Sequence, residues 1–156
     1  MKRGLVLLVV CLGAASVSAA TGRPLDVDAR ARTAQKIALA TVTEVEAGRF
    51  DVNEFGDRLI VTRVWLEVEE TLKGPYAPVL ALDVEGGSIG DLRLEVSDMP
   101  VLKRGDRAVF FLDARRDAHV PNGRDHGILR LDATERVVGH GVTLADIRAR
   151  VRGAQR

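Results

Sequence analysis

Residues 59–74, LIVTRVWLEVEETLKG, sort apolar from polar side chains by odd and even position. Ile60, Thr62, Val64, Leu66, Val68 and Leu72 share one parity, while Val61, Arg63, Trp65, Glu67 and Glu69 share the other. Successive residues of a strand point to opposite faces, whereas a helical period of 3.6 cannot separate odd from even. The stretch therefore predicts one long strand with an apolar face turned inward, ended by the Gly74-Pro75 punctuation.

The same reading places a strand over 37–47, a loop or hairpin tip over 48–57, and a strand over 79–85. The glycines of 86–90 then interrupt, and 92–96 alternates again. Residues 108–114, AVFFLDA, make the most apolar strand, and a polar loop is expected over 115–127. One or two last strands follow over 128–131 and 136–142. Residues 143–152 predict a closing helix, with Thr143 and Asp146 as a capping-box start and Leu144, Ile147 and Val151 on one face. Residues 21–36 read as a polar arm or a short helix from Asp28. Strands that follow strands, without βα alternation, predict a mainly β domain over 37–156. The expected form is a five- to six-stranded antiparallel OB-like barrel with a C-terminal α-helix.

Residues 1–20 follow a different pattern. Lys2 and Arg3 precede a continuous apolar run, and small residues then lead to a cut after Ala19 or Ala20. This predicts a helical secretory signal peptide, too short in its apolar part for a retained membrane span. Cys11 lies within the apolar run behind two valines, which does not suit lipidation. Loss of the leader removes Lys2, Arg3 and Cys11, leaving 21 basic against 22 acidic residues and no cysteine. The expected address is periplasmic or secreted, with no stable membrane insertion after cleavage and with stability from burial rather than disulfides. A net charge of −1 gives no electrostatic case for nucleic acid.

The strand running into Leu72-Lys73-Gly74, the Gly-Gly-x-x-Gly element at 86–90, Met99-Pro100, and Gly105-Asp106 before AVFFL resemble small secreted bacterial domains of OB-fold, netrin-like type. Some such domains precede matrixin-like metalloproteases. The pattern is also similar to the inhibitory domain of the tissue inhibitors of metalloproteinases. The resemblance implies a protein-binding barrel whose partner is an extracellular or envelope protein, a metalloprotease among the candidates. It does not carry the inhibitors' chemistry, because that uses an N-terminal cysteine and Thr21 stands at the mature end here.

No catalytic arrangement emerges from the residues. His119, His126 and His140 are spaced too widely for a short-element zinc site, even with Asp117 and Asp125 beside them. HExxH is absent. Ser88 sits among glycines but not in a strand-to-helix elbow, and the same segment lacks the Gly-Lys-Ser/Thr ending of a phosphate loop. The expectation is a non-enzymatic domain without a cofactor or metal. Trp65 is its first candidate partner-binding residue, unless the C-terminal helix covers it, and Tyr76, Gly86 and Gly87 are further candidates. A carbohydrate or small-ligand module is the alternative, and a small metal-dependent hydrolase using His119 or His126 a third reading.

Overall fold

The structure, a computed structural model, describes residues 25–53 and 55–156. The expected leader lies outside the described residues. The chain runs α1 (Val27–Thr33), β1 (Lys36–Val45), β2 (Arg49–Val52), β3 (Arg58–Lys73), β4 (Val79–Glu85), β5 (Gly87–Ile89), β6 (Leu92–Leu94), β7 (Arg107–Arg115), β8 (Ala118–Pro121), a 3₁₀ turn (Arg124–Gly127), β9 (Ile128–Arg130) and α2 (Leu144–Ala154). It is mainly β with a C-terminal helix. Among the described residues no helix is long and apolar enough to cross a membrane.

β1 pairs antiparallel with β3 along one edge and with β7 along the other. β3 pairs with β4, and β7 with β8. The path β1-β3-β4-β8-β7 thus returns to β1. The expectation of a purely antiparallel barrel is corrected here. Five strands in a circuit cannot alternate direction throughout, so one junction must be parallel. That junction is β4–β8, held by the single bridge Leu82↔His119. The sheet is mixed, and its closure is not that of a clean barrel. The expected polar loop over 115–127 is also corrected, since β8 and the 3₁₀ turn lie within it.

Two cores flank the sheet. Inside it, Ala38, Ala40 and Val42 of β1 meet Val64, Leu66 and Val68 of β3, Leu80, Leu82 and Val84 of β4, and Ala108, Phe110 and Leu112 of β7. On the outer face, Ile37, Leu39, Val109 and Phe111 meet Val27 and Ala31 of α1 and Leu144, Ile147 and Val151 of α2. β7 is therefore buried on both faces, which is why it reads as an unbroken apolar run. β3 keeps its parity only as far as Val68. Glu69 and Leu72 have no partner on β1, and beyond these bulges Leu72 packs in the helix-side core rather than beside Val64.

Both helices begin on side-chain caps. Asp26 accepts from the Ala29 N–H at 2.8 Å, and Thr143 and Asp146 form a reciprocal capping box. The end of α1 is held by Lys73, whose ammonium donates to the carbonyls of Ala31 (2.8 Å) and Arg32 (3.1 Å). Gly74 follows at φ 87°, and a Cβ there would lie 3.2 Å from the Gln35 carbonyl. The Lys73-Gly74 pair thus joins the end of β3 to the start of the chain.

Candidate binding groove

One end of the sheet opens into a groove of about 540 Å³. Val64, Val84 and Leu102, all members of the inner core, belong to its lining. The β5–β6 hairpin contributes Arg93 and Leu94, and the connection that follows contributes Val96, Met99, Pro100 and Val101. Val45 comes from the end of β1. The apolar lining is aliphatic or thioether, with no Phe, Tyr or Trp.

The glycines of 86–90 shape this end of the fold. Gly86 has φ 107° and Gly87 φ 133°, conformations that side-chain-bearing residues rarely adopt. The Gly86 N–H donates to the Ile60 carbonyl at 2.8 Å, and the Thr62 hydroxyl donates to the Gly86 carbonyl at 2.8 Å. A Cβ on Gly87 would collide with the Thr62 hydroxyl. On the far side, Gly48 approaches so closely that its own Cβ would lie 2.6 Å from the Ser88 carbonyl. The segment is a bend pressed against β3.

The charges around the groove are paired within the protein. Arg93 meets Glu95 at 2.6 Å, and Arg124 meets both Glu85 (2.5 Å) and Asp98 (3.0 Å). The backbone of the bank is not paired. Leu102 is buried at 7% exposure, yet among the described residues neither its N–H nor its carbonyl has a hydrogen-bond partner. The neighbouring Val101 carbonyl accepts from the Arg130 guanidinium, while the Val101 N–H donates to nothing in the described chain.

The four candidate partner-binding residues are not brought together. Gly86 and Gly87 line the groove, whereas Tyr76 lies 70% exposed in the turn at the opposite end of β4. The span of β4 between these ends is roughly 20 Å at 3.3 Å per residue. Trp65 lies on the outer face, opposite Glu44 and Ala81, and its indole N–H donates to Glu46 Oε1 at 2.6 Å. α2 does not pack on it. Arg148 of α2 and Gln155 at its C-cap hydrogen-bond to β3 at Glu70 and Leu72. The groove itself was missed in the sequence, because most of its bank, residues 97–102, belongs to no periodic element.

Beside Trp65 lies a charged cluster. Asp83, 7% exposed, accepts from Arg63 Nε (2.9 Å) and Nη2 (3.1 Å) and from Arg49 Nη2 (2.7 Å). Arg63 Nη1 continues to Asp117 at 2.9 Å. Burial alone pushes the Asp83 carboxyl up, but the hydrogen bonds and charges of Arg63 and Arg49 outweigh it and hold the carboxyl below its usual range. Arg63 is held more firmly in its charged form by the same carboxylates.

The histidines do not converge. His119 lies at the β4–β8 junction, where Nδ1 sits 3.3 Å from the Ala81 carbonyl, and burial lowers its pKa. His126 sits in the 3₁₀ turn beside Asp125, and His140 lies beyond β9. Among the described residues no three His, Cys, Asp or Glu side chains gather as metal ligands. Compared with models of known protein families and with curated proteins, the chain matches none.

Proposed function

We propose that this chain is an exported, non-enzymatic β-domain that binds another protein, an extracellular or envelope protein in the periplasm or outside the cell. The observation that carries this reading is the groove. Its floor is formed by the buried core side chains of Val64, Val84 and Leu102, with Val45 and Val101 exposed beside them at a sheet end rimmed by polar groups, and concave apolar surface with a polar rim marks sites of recognition. We take the circuit of strands as an OB-like barrel. The paired flanks of β1 and the parallel β4–β8 junction support that reading. The netrin-like resemblance remains a matter of motifs, and a protease partner follows from it alone.

The carbohydrate reading is less favoured, because sugar rings stack on aromatic faces and the groove has none. The hydrolase reading is less favoured because His119 lies against the Ala81 carbonyl and His126 against its chain neighbour Asp125, rather than both at one site.

The test is chemical crosslinking of the exported protein in its own envelope, with the adducts mapped by mass spectrometry. A recurrent protein partner linked through the neighbourhood of Val101 and Arg93 supports the reading. Recovery of the protein without any recurrent partner, or with a glycan as its sole saturable ligand, refutes it.

A further inference from the structure

Resting on the protein-binding reading, we propose that the groove seats an extended, uncharged, aliphatic stretch of the partner, whose backbone pairs with the N–H and carbonyl of Leu102.

Three observations lead there. The first is the backbone of the bank. Buried peptide groups are almost always hydrogen-bonded, because an unpaired one gives up its water for nothing. Leu102 is buried and pairs neither group within the described chain. A partner for them comes from beyond the described residues, as water in the free protein and as a peptide in the complex. Strand addition of this kind takes its affinity from main-chain hydrogen bonds and its selectivity from pockets that receive alternate side chains.

The second observation is charge. Each charged side chain at the rim already has an opposite neighbour, Arg93 on Glu95 and Glu85 on Arg124. The rim has no unmatched charge to neutralise a charged guest. A guest carrying Lys or Glu into the floor would lose hydration without compensation. The third observation is shape chemistry. Valine, leucine and methionine without an aromatic ring suit branched aliphatic side chains rather than flat rings, and Met99 adapts to their outline.

An acyl chain would satisfy the apolar surface, but its carboxylate can only accept from the Leu102 N–H and has no donor for the Leu102 carbonyl. That difference decides the experiment. The ¹⁵N-labelled protein is titrated with an acetylated heptapeptide of sequence Ser-Val-Ala-Val-Ala-Val-Ser-amide. The same peptide with its central valine N-methylated, the same peptide with that valine replaced by lysine, and dodecanoate are titrated in parallel. The expected result is saturable binding of the first peptide with a downfield shift of the Leu102 amide proton. The N-methyl and lysine peptides should bind at least tenfold more weakly. Val101→Asp, at a side chain 74% exposed and so safe for folding, should also weaken binding tenfold.

Equal binding of the N-methyl peptide overturns backbone pairing. Shifts confined to residues outside the groove, or saturable binding of dodecanoate alone, overturn the peptide assignment, as does failure of the first peptide to bind at millimolar concentration. If the crosslinked partner is found but attaches elsewhere, the protein-binding function stands and the groove assignment falls. If no partner is found, the function falls with it.

Discussion

Asp83→Asn puts the physical reading of the sheet's outer face to a direct test. The substitution keeps the side-chain shape and removes the charge that two guanidinium groups share. Wild-type Asp83 receives two hydrogen bonds from Arg63 and one from Arg49, and its side chain is 8% exposed. Removing one member of a buried charge pair strands the other, at a cost of about 3–5 kcal/mol. Arg63 retains Asp117, and Arg49 is 39% exposed and regains water. The loss should therefore sit at the lower end, about 3 kcal/mol, against a total of roughly 5–15 kcal/mol for a domain. Urea unfolding followed by far-ultraviolet circular dichroism gives the difference as a lower midpoint at unchanged slope. The acid limb supplies a second readout. The folded carboxyl titrates below its unfolded value, so the unfolded chain takes up the proton first as pH falls below about 4. Stability is then complete above that pH and declines as acidity increases through the folded pKa. Asp83→Asn should lose this part of the acid slope. A cost below about 1 kcal/mol, the median worth of a surface pair, would falsify the claim that this cluster holds β2, β3 and β4 together.

Other substitutions probe the bends and caps. Lys73→Met removes the ammonium from the last carbonyls of α1 and should cost about 1 kcal/mol, read as faster amide exchange over Val27–Thr33 than elsewhere. Gly87→Ala forces a Cβ onto the Thr62 hydroxyl at a positive φ and should cost about 2–3 kcal/mol in thermal unfolding. An unchanged midpoint would show that the hairpin moves freely from β3. Thr143→Ala removes the α2 cap and should cost about 1 kcal/mol by urea titration. Trp65 is the sole tryptophan, so its emission reports the outer face. Glu46→Gln should change that emission while leaving the unfolding midpoint nearly unaltered, and a large loss of stability would contradict this placement.

The sequence showed the elements whose two faces differ, or whose faces are both apolar. β3 displayed its parity because Val64, Leu66 and Val68 face a core while Arg63 and Trp65 do not. α2 announced itself by Thr143 and Asp146 and by three apolar residues at helical spacing. β2 and β8 escaped notice, because four residues are too few to establish a period, even where Arg49-Phe50-Asp51-Val52 alternates. The bulges at Glu69 and Leu72 were equally hidden. A bulge is a property of the pairing, and neither residue has a backbone that demands one.

The groove belongs to this second class for a specific reason. Part of its floor was legible, since Val64 falls on the predicted inner face of the long strand, but an inner face says nothing about whether the end of the sheet is covered. That depends on where Gly86 and Gly87 turn the chain and on how the segment after β6 returns. Both are fixed by contacts remote in sequence, Gly86 with Ile60 and Gly48 with Ser88. The glycines marked the turn without giving its direction. The unpaired backbone of Leu102 has no sequence signature at all, because any residue type carries the same N–H and carbonyl. Recognition through side chains leaves motifs that a single sequence can display. Recognition through a strand's backbone leaves only an uneven pairing of hydrogen bonds, and at Leu102 that unevenness falls beside a groove whose lining reaches the core.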